Sequence, residues 1–187
     1  MDASTSSPRQ AAQGPETSAP ARFLTRRRVS FGLAGLVAGG GAWSWHRSVS
    51  PARLPTVSYG LIDGQRLEPQ ALAGKPVMVQ FWSTQCAPCM AEMPDLIALH
   101  ETYAPQGLLL IAVAMPYDRP DHVLDVAARR KLPFAVALDP MGEVVRAWGD
   151  VEATPTAWLA DRQGRLVQHW RGAPDFEQVR RAVAGVV

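Results

Sequence analysis

Three short stretches of the chain are almost continuously apolar: Val77 to Trp82 (VMVQFW), Leu108 to Ala114 (LLLIAVA) and Phe134 to Leu138. Runs of this length predict strands, and the first two read as buried on both sides of a sheet. Between the first two, Met93, Leu96, Ile97 and His100 recur at helical spacing, which predicts a helix from about Ala87 to Tyr103. Pro94 lies inside it and is expected to kink it, because proline has no N–H and crowds the preceding turn. A second helix is expected from about Arg119 to Arg130, with Asp118 as its cap. A helical turn at Glu143 to Trp148 and a final helix from about Asp175 to Val186 complete the helical set. An Asp63-Gly64 turn between apolar residues predicts a small hairpin over Leu61 to Leu67. Thr156 to Ala160 and Leu166 to Trp170 flank the turn Asp161-Arg162-Gln163-Gly164 and predict another.

The order is therefore hairpin, then βαβαβ, then ββα. Alternating strands and helices imply an α/β fold with a parallel sheet core, and the hairpins add antiparallel strands, giving a mixed sheet flanked by helices. No internal repeat is present. The 187-residue length suits one domain with some extra sequence, large enough to build a core without disulfides.

The extra sequence is N-terminal. Residues 3–20 are rich in Ser, Ala, Pro and Gln, with no aromatic or branched apolar residue, and cannot bury enough surface to fold. Arg26 to Arg28 then precede an uncharged, glycine-rich apolar stretch from Val29 to Trp45. A basic segment followed by a short apolar one is the pattern of an export signal, and the paired arginines before VSFGL look like a twin-arginine signal. Val29 departs from that pattern, which usually has Phe there. Gly40 and Ala42 suit a cleavage site; the alternative is an uncleaved anchor, for which the stretch is short against the ~20 apolar residues of a span. The expected organisation is a disordered basic region over 1–28, an export signal or anchor over 29–45, a linker over 46–53 and a folded domain over 54–187. Export places that domain in an oxidising compartment.

Charge narrows the partners. The formal net charge is +2. Residues 1–42 hold five arginines against Asp2 and Glu16, and the rest of the chain is close to neutral. The domain has no basic footprint for nucleic acid, and contact with a membrane is expected only through the N-terminal segment if it stays uncleaved.

The only two cysteines, Cys86 and Cys89, stand in WSTQCAPCM. A structural zinc site needs four ligands; there is no second cysteine pair, and His46, His100, His122 and His169 are scattered. A purely structural disulfide closing so short a loop would contribute only about 2 kcal/mol by the chain-entropy relation. Redox catalysis fits the position best. The pair follows a buried strand and opens a helix, where Cys86 meets unpaired N–H groups and the positive end of the helix dipole, which favour a thiolate. Pro88 is tolerated in a first turn. Cys89 lies one turn in and suits a resolving role after Cys86 attacks.

FWSTQCAPCMAEMP resembles the active-site stretch of the thioredoxin superfamily. It is most similar to the exported TlpA/ResA-like thiol-disulfide oxidoreductases, which include the CcmG/DsbE cytochrome c maturation proteins. The similarity covers most of 54–187 and includes the N-terminal hairpin, YDRPDHVLDVAARRKLPFAVALDP and ATPTAWLADRQGRL. It implies a thioredoxin-like fold with an N-terminal β-hairpin addition. It implies that Thr154-Pro155 is a cis-proline turn facing the dithiol, where the Thr154 backbone pairs with an extended substrate segment. Trp82 is expected beneath the site, and Gln85, Ala87 and Pro88 at the client-facing surface. The redox equivalents reside in the Cys86–Cys89 pair, and no other cofactor is expected. Implied partners are client proteins with disulfides and a membrane thiol-disulfide electron donor.

Two positions need separate comment. Thioredoxin has a buried Asp on the strand before the motif; Gln80 stands there and cannot titrate. Glu92, one helical turn after Cys89 in CAPCMAE, matches the CxxCxxE pattern of the TlpA/ResA-like group and is the candidate acid–base residue, with a solvated surface carboxylate as the alternative. Gln85 stands where close relatives usually have Trp (WxxWC), so the rim beside the nucleophile is a polar amide. Ala87-Pro88 carries no charge, which predicts the reducing half of a range running from about −270 mV in thioredoxin to about −120 mV in DsbA. The rival readings are a thiol peroxidase of the peroxiredoxin type, which places an isolated Cys in a different motif, and a Cu(I)-handling module with both sulfurs as soft ligands.

Overall fold

The computed structural model describes residues 52–187. The readings made of residues 1–51, including the disordered region, the twin-arginine signal, its cleavage and most of the linker, lie outside those residues. Among the described residues no helix is long and apolar enough to cross a membrane.

Among the described residues seven strands form one sheet: β1 Tyr59–Leu61, β2 Arg66–Leu67, β3 Val77–Trp82, β4 Leu109–Ala114, β5 Ala135–Leu138, β6 Thr156–Ala160 and β7 Leu166–Arg171. Their spatial order is β2-β1-β5-β4-β3-β6-β7. β3, β4 and β5 are parallel, and β6, β7, β1 and β2 are added antiparallel. The mixed sheet and its N-terminal hairpin are as the sequence predicts. The α-helices of the described residues are α1 Ala87–Tyr103, α2 Pro120–Arg130, α3 Glu143–Ala147 and α4 Phe176–Ala184.

Alternation along β3 explains the two-layer core. Met78 and Trp82 face α1 and α4, together with Met93, Leu96, Leu99, Val179 and Val183. Val77, Val79 and Phe81 face the opposite side with Ile111, Val113, Trp148 and Trp158. All six residues of β3 are buried, as a strand covered on both faces requires. On the second side Phe81 meets Trp148 and Trp158 edge-on, with ring centroids 6.0 and 5.7 Å apart. The Trp148 indole N–H donates to the Tyr59 hydroxyl at 3.0 Å, and burial pushes that phenol up to about 12.

Gln80 is the one polar side chain of β3. Its place in the alternation puts it on the α1 face, between Met78 and Trp82. α1 continues through Pro94, which cannot donate to the Met90 carbonyl. The expected role of Asp118 as a helix cap is not observed. Arg119 occupies that position with no side-chain capping bond, and the Asp118 carboxylate turns to the loop after β3. α4 is capped by Asp175, whose carboxylate accepts from the Glu177 N–H at 2.9 Å.

Candidate active site

The parallel strands β3 and β4 end at Trp82 and Ala114, side by side in the register. The loop Ser83-Thr84-Gln85 leaves β3 and delivers Cys86 to the N-cap of α1. The Cys86 N–H donates to the Ser83 carbonyl at 3.1 Å, and the Cys89 N–H donates to the Cys86 sulfur at 3.2 Å. That second bond comes from one of the N–H groups left without a partner at the start of a helix, and it favours negative charge on sulfur. Cys86 and Cys89 are joined as a disulfide with Cα atoms 5.2 Å apart. Their exposure is unequal. Cys89 is fully buried, whereas Cys86 is half-buried beside exposed Gln85, Ala87 and Pro88. Trp82 is fully buried in the layer that also holds Cys89.

The Thr154–Pro155 peptide bond is cis. β6 begins one residue later, with Thr156 paired to Phe81. That pairing lies at the end of β3 from which the dithiol loop leaves, so the turn enters the sheet at the same end. The Pro155 carbonyl accepts from the Gly172 N–H at 2.8 Å. Among the described residues, the Thr154 N–H and carbonyl are not engaged in hydrogen bonds.

Glu92 is buried, with 5% of its surface exposed, which excludes the solvated alternative. It lies one turn beyond Cys89 and receives a hydrogen bond at Oε1 from Gln80 Nε2 at 2.5 Å. Its other oxygen, Oε2, is buried without a hydrogen-bond partner. Burial, with a smaller contribution from the charge of Asp95, raises this carboxyl to about 8. A group that titrates near neutrality can take and return protons at physiological pH.

Asp118 is the residue that sequence reasoning placed in the wrong role. Its buried carboxylate accepts from Ser83 Oγ at 3.1 Å, from the Thr84 N–H at 2.8 Å and from Thr84 Oγ1 at 2.8 Å. Ser83 Oγ in turn accepts from the Gln85 N–H at 3.1 Å. The loop after β4 thereby holds the loop that carries the nucleophile. The available signal was the Ser83-Thr84 pair of hydroxyls directly after a buried strand, which need a partner from elsewhere. Asp118→Ala is expected to lower stability by roughly 2–4 kcal/mol in denaturant unfolding, because it leaves these donors unpaired. Asp118→Asn, which keeps an acceptor oxygen, is expected to lose less.

A family model for Redoxin matches residues 51–184. The chain belongs to the Redoxin family. Within it, the chain is 34% identical over 119 residues to the thiol-disulfide oxidoreductase ResA of Bacillus thuringiensis subsp. konkukian, covering 63% of this chain and 67% of that one. ResA of Halalkalibacterium halodurans is 32% identical over 136 residues, covering 71% and 76%. A solved thiol:disulfide interchange protein of the thioredoxin family, from Chlorobium tepidum, superposes with a TM-score of 0.67 at 24% identity, covering 73% and 96%, and shows the shared fold. This Redoxin-family chain is thus a TlpA/ResA-like protein thiol-disulfide oxidoreductase of thioredoxin-like fold, carrying the Cys86–Cys89 pair.

Proposed function

We propose that the protein reduces disulfides in exported client proteins, with Cys86 as nucleophile, Cys89 as resolving thiol and Glu92 as proton carrier. The unequal burial of the two sulfurs carries this reading. Only Cys86 is open to a large partner, and Cys89 waits behind it. In the reduced protein the Cys86 thiolate attacks one sulfur of a client disulfide, and a client thiolate leaves. A mixed disulfide now joins Cys86 to the client. Cys89 loses its proton to the Glu92 carboxylate and attacks the Cys86 sulfur. The second client thiolate leaves, and the Cys86–Cys89 disulfide is restored. Two electrons pass to the client, and an external dithiol must return them.

Thr154 supports the same reading. Its unengaged N–H and carbonyl can pair with an extended client segment laid beside Cys86. Pro155 shapes that turn, and Trp82 floors the site. The pair Ala87-Pro88 supplies no charge to stabilise a Cys86 thiolate strongly, which favours the reducing direction over the oxidising one. No cofactor beyond the disulfide is required. The arginine-led apolar segment over 26–45 supports export to the periplasm, either released or anchored in the inner membrane and facing it. Reduction of apocytochrome c during cytochrome c maturation is one client role that suits this setting, and a membrane thiol-disulfide relay is the matching donor.

Trapping in cells tests the assignment. Cys89→Ser stalls the reaction at the mixed disulfide, so exported proteins bearing disulfides are expected to be captured on Cys86 and released by a reductant. Recovery of none would contradict a reductase of protein clients. The same capture with Gln85→Trp added tests the rim: the captured set is expected to shift, because a flat apolar ring replaces an exposed amide. An unchanged set would remove Gln85 from client choice.

A further inference from the structure

We propose that Gln80 is a positioning residue: by donating its side-chain N–H to Oε1 of Glu92, it reserves Oε2 for the proton exchanged with Cys89. The inference rests on the reading of Glu92 as proton carrier and adds a second residue to it. Gln80 is 1% exposed and is the only polar side chain in VMVQFW. An uncompensated amide there would cost stability, so its presence calls for a partner. That partner is Glu92 Oε1, at 2.5 Å, across the gap between β3 and α1.

The chemistry of the amide decides which oxygen titrates. Nε2 is a donor at every accessible pH. A proton on Oε1 would point at that donor and break the bond, so the proton resides on Oε2. Oε2 is the buried oxygen that has no hydrogen-bond partner. A carboxylate in place of Gln80 would compete for the same proton. An apolar residue would leave both oxygens equivalent and the carboxyl free to rotate.

The bond also adjusts where Glu92 titrates. Burial raises Glu92, and Asp95, on the same helix, adds to it. Asp95 is itself 3.8 Å from Arg180 of α4. The register partners of Gln80 on β4 and β6 are Ala112 and Ala157, which bring no charge. Cys89, one turn before Glu92 on α1, adds a thiol once the disulfide is reduced. Against this background a donated hydrogen bond favours the ionised carboxylate and holds its titration down.

The test follows release of glutathione from a Cys86–glutathione mixed disulfide, a step carried out by Cys89, as a function of pH. The wild-type rate is expected to inflect near the Glu92 value. Gln80→Leu is expected to move that inflection up by about one pH unit, since a hydrogen bond to a charged group is lost. Glu92→Gln is expected to abolish the inflection, and Gln80→Leu added to Glu92→Gln to leave the profile unchanged. An inflection that stays in place or moves down in Gln80→Leu, or a Gln80→Leu shift that persists in the double variant, would overturn the proposal. If Glu92→Gln left the wild-type inflection intact, the proton-carrier role itself would fall, and the proposal with it. A measurement on the wild-type protein guards against misfolding of the variants. The Gln80 side-chain amide resonances are expected to shift with the same midpoint as the Glu92 carboxyl, and amide signals that ignore that titration would overturn the proposal.

Discussion

Cys86→Ser is expected to abolish disulfide exchange, with a loss of more than about three orders of magnitude, while the fold stays intact. The attacking species in exchange is a thiolate, and a serine hydroxyl is not ionised at neutral pH. The local structure tolerates the change. Serine is a favoured N-cap residue, and its oxygen can accept from the Cys89 N–H as the sulfur does now. The stability cost is that of a disulfide closing a very short loop, about 2 kcal/mol. Cys89→Ser should behave differently. It keeps the first attack and loses the second, so one client remains attached per protein. Stopped-flow mixing of each variant with a disulfide-bonded protein, followed by mass analysis, separates the two outcomes. Equal, full inactivation of both variants with no adduct would contradict the division of labour between an accessible and a buried sulfur.

Glu92→Gln is expected to slow release of the client from Cys86 by about a hundredfold near pH 8, with little effect on the first attack. Proton transfer by a positioned group typically contributes about that much or more. Glutamine fills the same space and can still meet Gln80, so the change removes a proton site without opening a cavity. The same variant should be more stable than wild type in alkaline solution. Glu92 titrates near 8 in the folded chain and near its ordinary value of 4.5 when unfolded. Between these values the unfolded chain has released a proton that the folded chain retains, so the wild type loses stability as pH rises across that window. Below about pH 4.5 the carboxyl is protonated in both states and this difference vanishes. Denaturant unfolding of both proteins at pH 5 and pH 8.5 measures it. A gain in stability paired with a loss in rate would identify Glu92 as a group retained for chemistry at the expense of the fold. No change in either would return it to a packing role.

Much of this was legible because the strands are buried on both faces. Val77 to Trp82 and Leu109 to Ala114 are almost continuously apolar, and the two crossovers and two hairpins read from the sequence give the parallel β3-β4-β5 set and the pairs β1-β2 and β6-β7. The placing of β1 beside β5 and of β6 beside β3 joins segments far apart in the chain and was not read. The dithiol was legible from spacing and place. The carboxylates were legible only in part. Glu92 was picked out by the CxxCxxE resemblance and by lying one turn from Cys89, but its burial depends on β3 lying across it with Gln80. Asp118 precedes a predicted helix, so its letter reads as a cap; its actual bonds span 34 and 35 residues to Thr84 and Ser83, and no local pattern encodes them. Gln80 looked like a lost titrating residue at a known place, whereas in the fold it is the partner of the one that titrates.

The central claim is that the Cys86–Cys89 pair delivers two electrons to a disulfide in another protein. Thiol counting tests it most directly. The reduced protein is mixed with excess insulin without other reductant, and the newly exposed thiols and the oxidation state of Cys86 and Cys89 are followed together. The expected result is one insulin disulfide opened for each Cys86–Cys89 pair oxidised, with none opened by Cys86→Ser. Unopened insulin, alongside tight Cu(I) binding or hydrogen peroxide turnover by the same protein, would contradict it.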